Sequence, residues 1–348
     1  MHTPVQLEMA RRKYATAAWS RRGQGSAAAI AAALAFFAVL VPLGRAASEE
    51  VLVSSCPVQA PLHPKRLVYN RVSKAGSTTM KAVLTATLLH TKRQMHNGIP
   101  YWPNATEFTR AVNSMQEGDV YVNHASVVPQ LGPPQNPDIG WVNIVRDPVA
   151  RLASLHYYGV DPIHRSEKSA TAALATRKAD PSGGCYMLEF DACVQAQVDN
   201  GVTLLRHLSG TSQMIFFCSM DGPGSGPYAR KPFNCTADAA LAQVERLYTF
   251  VGLTEESMLS LAALEVLLPG YFTRAQAAAK AIPHNAQRRT VLENPWTHTT
   301  GSSGSISAVT HDLLKEHWPG YAEEYKFYHG VRKLFWCKVA ALGLAPGE

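Results

Sequence analysis

The sequence predicts an α/β fold, a parallel sheet flanked by helices, and three stretches carry that expectation. Leu67-Val68-Tyr69 is a β-prone run that passes through a glycine-containing turn into an apolar-periodic stretch, Met80, Val83, Leu84 and Leu88, so it reads as strand, loop and helix. Trp141-Val142-Asn143-Ile144-Val145 is a nearly continuous apolar run of strand length, as expected of a strand covered on both faces. Arg146-Asp147-Pro148 leads from it into a helical pattern through Arg151, Leu152, Ser154, Leu155 and Tyr158. Between the two, Asp119-Val120-Tyr121-Val122-Asn123-His124 is a shorter β-prone run. Strands alternating with helical patterns imply βαβ units, and these bury a parallel sheet between helices.

The first element ends in a loop suited to an anion. Gly76 permits a tight turn, and Ser77 and Thr78 are expected to cap the helix that follows. Backbone N–H groups at that helix start, with Arg71 and Lys74 beside them, form a cradle for a phosphate or sulfate. The common nucleotide loop G-x-x-x-x-G-K-[ST] places its Lys directly after a second Gly, whereas here Lys74 precedes the only one. A standard ATP or GTP loop is therefore excluded, and the plain alternative is a βα turn without a ligand.

The third run brings Arg146 to the carboxyl end of its strand, where open α/β sheets bind ligands. Pro148 suits the first helical turn and Asp147 the cap before it. Ser154 lies eight residues beyond Arg146, about two helical turns, so it can face the strand end. The plain alternatives are an Arg146 paired with a nearby carboxylate and a solvated Ser154. His124 ends the middle run, where the choice is between a hydrogen-bonded structural histidine and a base.

Together these segments resemble the carbohydrate sulfotransferases that use 3′-phosphoadenosine 5′-phosphosulfate (PAPS), most closely the heparan sulfate and uronyl 2-O-sulfotransferases. Asn70-Arg71-Val72-Ser73-Lys74-Ala75-Gly76-Ser77-Thr78 matches that family's motif for the 5′-phosphosulfate end, and Val145-Arg146-Asp147-Pro148-Val149-Ala150-Arg151-Leu152-Ala153-Ser154 matches its 3′-phosphate motif. Phe216-Phe217-Cys218, Phe250 through Glu256 and Leu268-Pro269-Gly270-Tyr271-Phe272 are similar to downstream landmarks, so the likeness covers roughly residues 65 to 335. It implies a P-loop-like sulfotransferase fold with PAPS as co-substrate. Arg71, Lys74, Gly76, Ser77, Thr78, Arg146 and Ser154 would bind that co-substrate, and His124 and Lys74 would be catalytic. The family's H-x-H segment keeps its second histidine as His124, while Val122 replaces the first.

The implied reaction is in-line sulfuryl transfer to a glycan hydroxyl, the 2-O position of a hexuronic acid in a glycosaminoglycan-like polysaccharide. A neutral His124, with an imidazole pKa near 6.5, would take the hydroxyl proton. Lys74 would stabilise charge on the leaving nucleotide, and the planar fork of Arg146 suits a 3′-phosphate. No metal is expected, since the thirteen histidines and six cysteines form neither an H-x-x-x-H nor a C-x-x-C spacing. Two alternatives stay open: a silent homologue that binds PAPS or glycan without turnover, and a nucleotide-dependent kinase, which the position of Lys74 disfavours.

At 348 residues with 46% hydrophobic content the chain can bury a sizeable core. Residues 26–44 carry no charge and would span about 28 Å as a helix, roughly a bilayer core. Arg11, Arg12, Lys13, Arg21 and Arg22 precede them. The expected organisation is a cytoplasmic tail over 1–25, a signal anchor over 26–44, a stem over 45–65 and a lumenal domain over 66–340 in the Golgi. A cleaved signal peptide and a buried alanine-rich helix are the alternatives. Residues 1–45 hold six Lys or Arg and one acidic residue, so +5 of the net +7 sits there and only +2 on the rest. The charge is thus a membrane-flank feature rather than a nucleic-acid footprint. An anionic polysaccharide needs a local basic cleft, for which Arg288 and Arg289, with Lys280 or Arg274, are candidates against a plain solvated loop.

A lumenal location would oxidise the cysteines, and short loops favour Cys185–Cys193 and Cys218–Cys235, with Cys56–Cys337 as a further pairing that sequence does not settle. Asn104-Ala105-Thr106 and Asn234-Cys235-Thr236 are glycosylation sequons. Residues 159–184 and 295–306 are polar loops of the kind that close over sites. Residues 237–268 read as helix, strand, helix, and 307–340 as helical with a break near Pro319-Gly320.

Overall fold

A computed structural model describes residues 62–89, 91, 93–96, 103–160, 188–201, 212–220, 235–282 and 306–344. Five parallel strands form one sheet: β1 (Arg66–Asn70), β2 (Met95–His96), β3 (Val120–Asn123), β4 (Ile139–Val145) and β5 (Tyr248–Leu253), in the order β2-β3-β1-β4-β5. The apolar runs are central for the reason the sequence suggests. Leu67, Val68 and Tyr69 of β1 and all seven residues of β4 are buried, which only strands covered on both faces can be.

Helix α1 (Ser77–Leu88) crosses from β1 towards β2, and α2 (Ala105–Asn113) precedes β3. Helix α3 (Pro148–Val160) follows β4, and α4 (Phe190–Asp199) comes next. Helix α5 (Ala237–Leu247) leads directly into β5 and α6 (Ser257–Leu267) leaves it, the expected helix, strand, helix order. A short turn, α7 (Pro269–Phe272), is followed by α8 (Ala275–Ala281), α9 (Ala308–His317) and α10 (Tyr321–Ala341); the last two are separated at Pro319-Gly320 as expected. Helices α1, α6, α7 and α8 pack on one another, while α10 packs on α5, β5 and α3. One core encloses the sheet, and a smaller one, built from Val149, Leu152, Phe190, Val194, Leu314 and Trp318, joins α3, α4 and α9.

The start of α2 shows how local sequence sets an element. Asn104 accepts from the Glu107 amide at 2.9 Å while Glu107 accepts from the Asn104 amide at 3.1 Å, a reciprocal cap. The start of α1 departs from expectation. Its cap is Gly76, in the left-handed conformation at φ 70°, and Ser77 and Thr78 lie inside the first turn. A side-chain cap requires extended backbone, and Gly76 instead bends the chain sharply, so Ser77 and Thr78 present amides rather than caps.

Cys218 and Cys235 form a disulfide as their spacing suggested, and Cys193 and Cys337 are also disulfide-bonded, to partners outside the described residues. Among the described residues no helix is long and apolar enough to cross a membrane. The expected tail over 1–25, the expected anchor over 26–44 and most of the expected stem lie outside them, as do almost all of the expected loops at 159–184 and 295–306.

Candidate functional site

The chain leaves β1 in one direction, through α1 to β2 and β3, and leaves β4 in the other, to β5. In open α/β sheets such a reversal is where ligands bind, at the carboxyl ends of the three central strands. The residues that follow those strands are Arg71, His124 and Arg146, one from each. In the parallel register Asn70 stands opposite Asn123, so Arg71 and His124 emerge side by side.

The ends of these strands are held by a buried polar network. Asn70 donates through Nδ2 to the carbonyls of Phe216 (2.6 Å) and Ala125 (3.2 Å), and its Oδ1 accepts from Asn143 Nδ2 (2.9 Å) and Tyr248 Oη (2.9 Å). Asn143 Nδ2 also donates to the Asn70 carbonyl at 2.7 Å. Polar groups this deep are tolerated only when satisfied, and here they tie β1, β4 and β5 to the segment carrying Phe216. Sequence reasoning assigned none of these roles; the clue was an asparagine inside an otherwise apolar strand, Asn143 within Trp141–Val145.

Beyond Asn70 runs the loop expected to cradle an anion. Lys74 (φ 65°) and Gly76 (φ 70°) are both left-handed, which turns successive amides toward one side at the start of α1. The conformation of Lys74 was not visible in sequence, because left-handed backbone is uncommon for residues with a Cβ and concentrates at functional sites. Arg71 Nη2 donates to Ser77 Oγ at 3.3 Å, drawing the guanidinium over the helix start, and its Nε is buried without a hydrogen-bond partner. That orphaned donor and the turned amides fit an anionic group.

His124 is 4% exposed and tied to the same loop. Its Nδ1 lies 2.8 Å from the Arg71 carbonyl and 3.4 Å from Ser73 Oγ, and its backbone N donates to Asn123 Oδ1 at 2.8 Å. A carbonyl can only accept, so Nδ1 carries the proton and the lone pair is on Nε2. Burial, aided by the Arg71 charge, lowers its pKa to about 4. This corrects the expectation of an imidazole titrating near 6.5. The carbonyl of Arg71 supplies the orientation that no histidine at position 122 provides; Val122 is buried in the sheet.

Arg146 is clamped by Gln213, whose Oε1 accepts from the Arg146 amide (3.3 Å) and whose Nε2 donates to its carbonyl (3.0 Å). Its Nη1 reaches the Lys74 carbonyl at 3.4 Å, joining the two loops. Burial lowers the guanidinium's pKa, against the opposing pull of Glu255 and Asp147. Asp147 caps α3 by accepting from the Ala150 amide (2.9 Å), as expected, and also accepts from Tyr325 Oη (3.0 Å). Glu255 accepts from the Asp147 amide (2.8 Å) and from Tyr328 Oη (3.3 Å). Helix α10 thus supports this strand end, a role without a local sequence sign.

Ser154 is half-buried two turns along α3. His156, the other histidine near Arg146, is wholly buried with Nε2 3.0 Å from the Leu188 carbonyl and its ring against Phe190, so it belongs to the α3–α4 packing. Arg288 and Arg289 lie outside the described residues. Lys280 is exposed on α8 and Arg274 is exposed at its cap, after a turn anchored by Tyr271 Oη donating to the Pro64 carbonyl (3.0 Å), before β1. Among the described residues no cluster of three or more His, Cys, Asp or Glu is arranged to hold a metal.

Parallel strands flanked by helices, with a left-handed loop after β1 and an arginine after β4, are consistent with the α/β fold expected of a sulfotransferase. The chain is similar in sequence to uronyl 2-sulfotransferases. It is 31% identical over 150 residues to the uronyl 2-sulfotransferase homolog pip of Drosophila melanogaster, covering 40% of this chain and 27% of pip. It is 23% identical over 291 residues to uronyl 2-sulfotransferase of Mus musculus (81% of this chain, 65% of the relative) and 24% identical over 282 residues to that of Homo sapiens (78% and 63%). It therefore spans less than two thirds of the length of each. No family model matches the chain.

Proposed function

We propose that the chain transfers a sulfuryl group from PAPS to a glycan hydroxyl, the 2-O position of a hexuronic acid in a glycosaminoglycan-like polysaccharide. The observation that carries this reading is the tie between His124 Nδ1 and the Arg71 carbonyl, 2.8 Å, which sets the imidazole beside the loop that would hold the anion. The names of the relatives support the sulfuryl group and the uronyl acceptor.

In this reading the amides around Gly76, Ser77 and Thr78, with Arg71 and Lys74, hold the 5′-phosphosulfate, and Arg146 with Ser154 holds the 3′-phosphate. PAPS supplies a sulfuryl group whose bond to the 5′-phosphate oxygen breaks as the acceptor oxygen bonds to sulfur. His124 Nε2 takes the acceptor's proton, and Nδ1–H stays on the Arg71 carbonyl, which steadies the imidazolium formed. Lys74 and the cradle amides stabilise charge growing on the departing phosphate. Arg288 and Arg289 are assigned to the anionic acceptor. The setting is the Golgi lumen, with residues 26–44 as a type II anchor; the Cys218–Cys235 disulfide fits an oxidising compartment.

Incubating the purified chain with labelled PAPS and a panel of desulfated polysaccharides tests this. Label should enter uronic-acid-containing acceptors. Binding of the nucleotide without transfer to any acceptor would favour the silent homologue, and transfer of phosphate from ATP would overturn the reading.

A further inference from the structure

The short turn over Gln213–Phe217 carries a buried amide that the proposed reaction does not use. Met214, Ile215, Phe216 and Phe217 are its apolar part, so packing alone gives no reason for a glutamine at 213, and a buried amide is costly unless satisfied. Gln213 is satisfied by one residue's backbone: its Oε1 accepts from the Arg146 amide at 3.3 Å and its Nε2 donates to the Arg146 carbonyl at 3.0 Å. In a parallel ladder the N–H and C=O of one residue bond to the same neighbouring strand. For Arg146 that neighbour is missing, because the pairing of β1 with β4 ends at Tyr69 and Val142. The amide of Gln213, one acceptor and one donor, takes its place and continues the pairing of β4 by one residue.

A clamp holds only if it is itself held, and the turn is tied on both sides of the sheet's centre. Its Phe216 carbonyl accepts from Asn70 Nδ2 (2.6 Å) at the end of β1. Just beyond it, the Cys218 carbonyl accepts from the Val127 amide (3.0 Å), and the Val127 carbonyl accepts from the Met220 amide (2.7 Å), three residues past His124. The Cys218–Cys235 disulfide then joins the segment to the start of α5. At its front, Ser212 Oγ accepts from the Met214 amide (3.1 Å). On the other side of Arg146, β5 fixes the preceding residue, since the Thr254 amide donates to the Val145 carbonyl at 2.9 Å. The backbone of Arg146 is therefore gripped between β5 and an anchored turn.

We propose that Gln213 is a positioning residue, which fixes the backbone of Arg146 and so aims its guanidinium for a 3′-phosphorylated nucleotide. This rests on the assignment of Arg146 to the 3′-phosphate made above. Both bonds of the clamp fall on the backbone, so the five donors of the guanidinium are not spent on it. A planar fork binds phosphate well only in the right orientation, so a freed backbone weakens that contact before any other.

The test compares affinities for adenosine 3′,5′-bisphosphate and adenosine 5′-phosphate, by calorimetric titration, in the full wild-type chain and in Gln213→Met. The variant keeps a side chain of similar length and loses both bonds, so it should lose on the order of tenfold in bisphosphate affinity while binding the 5′-phosphate unchanged. A second variant, Gln213→Glu, keeps the outline of the side chain and gives up the donor to the Arg146 carbonyl; it should show the same selective loss, which keeps the test decisive if Gln213→Met does not fold. A wild-type chain that binds both nucleotides equally would refute the Arg146 assignment itself. A wild type that prefers the bisphosphate, with folded variants that keep the same preference or weaken both nucleotides alike, would overturn the positioning role alone.

Discussion

Replacing Asn70 by Ala should cost stability out of proportion to the atoms removed. Four hydrogen bonds disappear: two donated to the carbonyls of Phe216 and Ala125 and two accepted from Asn143 and Tyr248. At about 1 kcal/mol net each, the loss is about 4 kcal/mol. Two of the orphaned donors keep another acceptor, since Asn143 Nδ2 also reaches the Asn70 carbonyl (2.7 Å) and Tyr248 Oη the Phe216 carbonyl (3.4 Å). These alternatives return about 1 kcal/mol, leaving an expected destabilisation of about 3 kcal/mol. Asn70→Asp should be worse, because a carboxylate then faces the two carbonyl oxygens that the amide had satisfied. Urea unfolding followed by circular dichroism reads the difference as a lower midpoint at unchanged slope. A loss below about 1 kcal/mol for Asn70→Ala would refute the network as the support of the β1 end.

Lys74→Ala and Arg146→Ala should each weaken adenosine 3′,5′-bisphosphate about 10- to 100-fold by titration, as loss of a charged hydrogen bond does, and Arg146→Lys should recover only part because the fork is lost. Asn104→Ala breaks the reciprocal cap of α2 and should cost about 1 kcal/mol in thermal or urea unfolding, while Asn104→Asp keeps the acceptor and should cost little. The pH dependence follows from His124, whose folded pKa of about 4 lies below its unfolded value near 6.5. The unfolded chain binds the proton first, so stability is fully present above about pH 6.5 and declines, by about 3 kcal/mol for this group, as pH falls towards 4. For the same reason kcat/KM should stay level from pH 8 to about 5 and fall only near pH 4, and a midpoint at 6.5 would refute the burial argument.

The strand–loop–helix order was legible because β1 and β4 are covered on both faces, and such strands leave continuous apolar runs. The placement of Arg71, His124 and Arg146 at three strand ends was legible for the same reason: each is the first residue, or nearly so, after its run. What the sequence did not show are features made by distant chain. Tyr248, Gln213 and Tyr325 reach the site from 67 to 178 positions away, and a helical tyrosine carries no sign of where tertiary packing will send it. The cap of α1 was misassigned because Ser77 and Thr78 are good caps in isolation, while Gly76 takes the left-handed turn that decides the helix start. The basicity of His124 was misjudged because burial is a tertiary quantity, invisible beside an ordinary β-prone run.

His124 is proposed as the base of the sulfuryl transfer, and the decisive comparison is wild type against His124→Ala. With labelled PAPS and the acceptor that the wild-type chain sulfates, the variant should lose about 10²–10⁴-fold in turnover, the share of a positioned proton acceptor. Its affinity for adenosine 3′,5′-bisphosphate should remain within about twofold of wild type, since the imidazole takes a proton and holds no phosphate. A variant that retains full turnover would rule His124 out as the base.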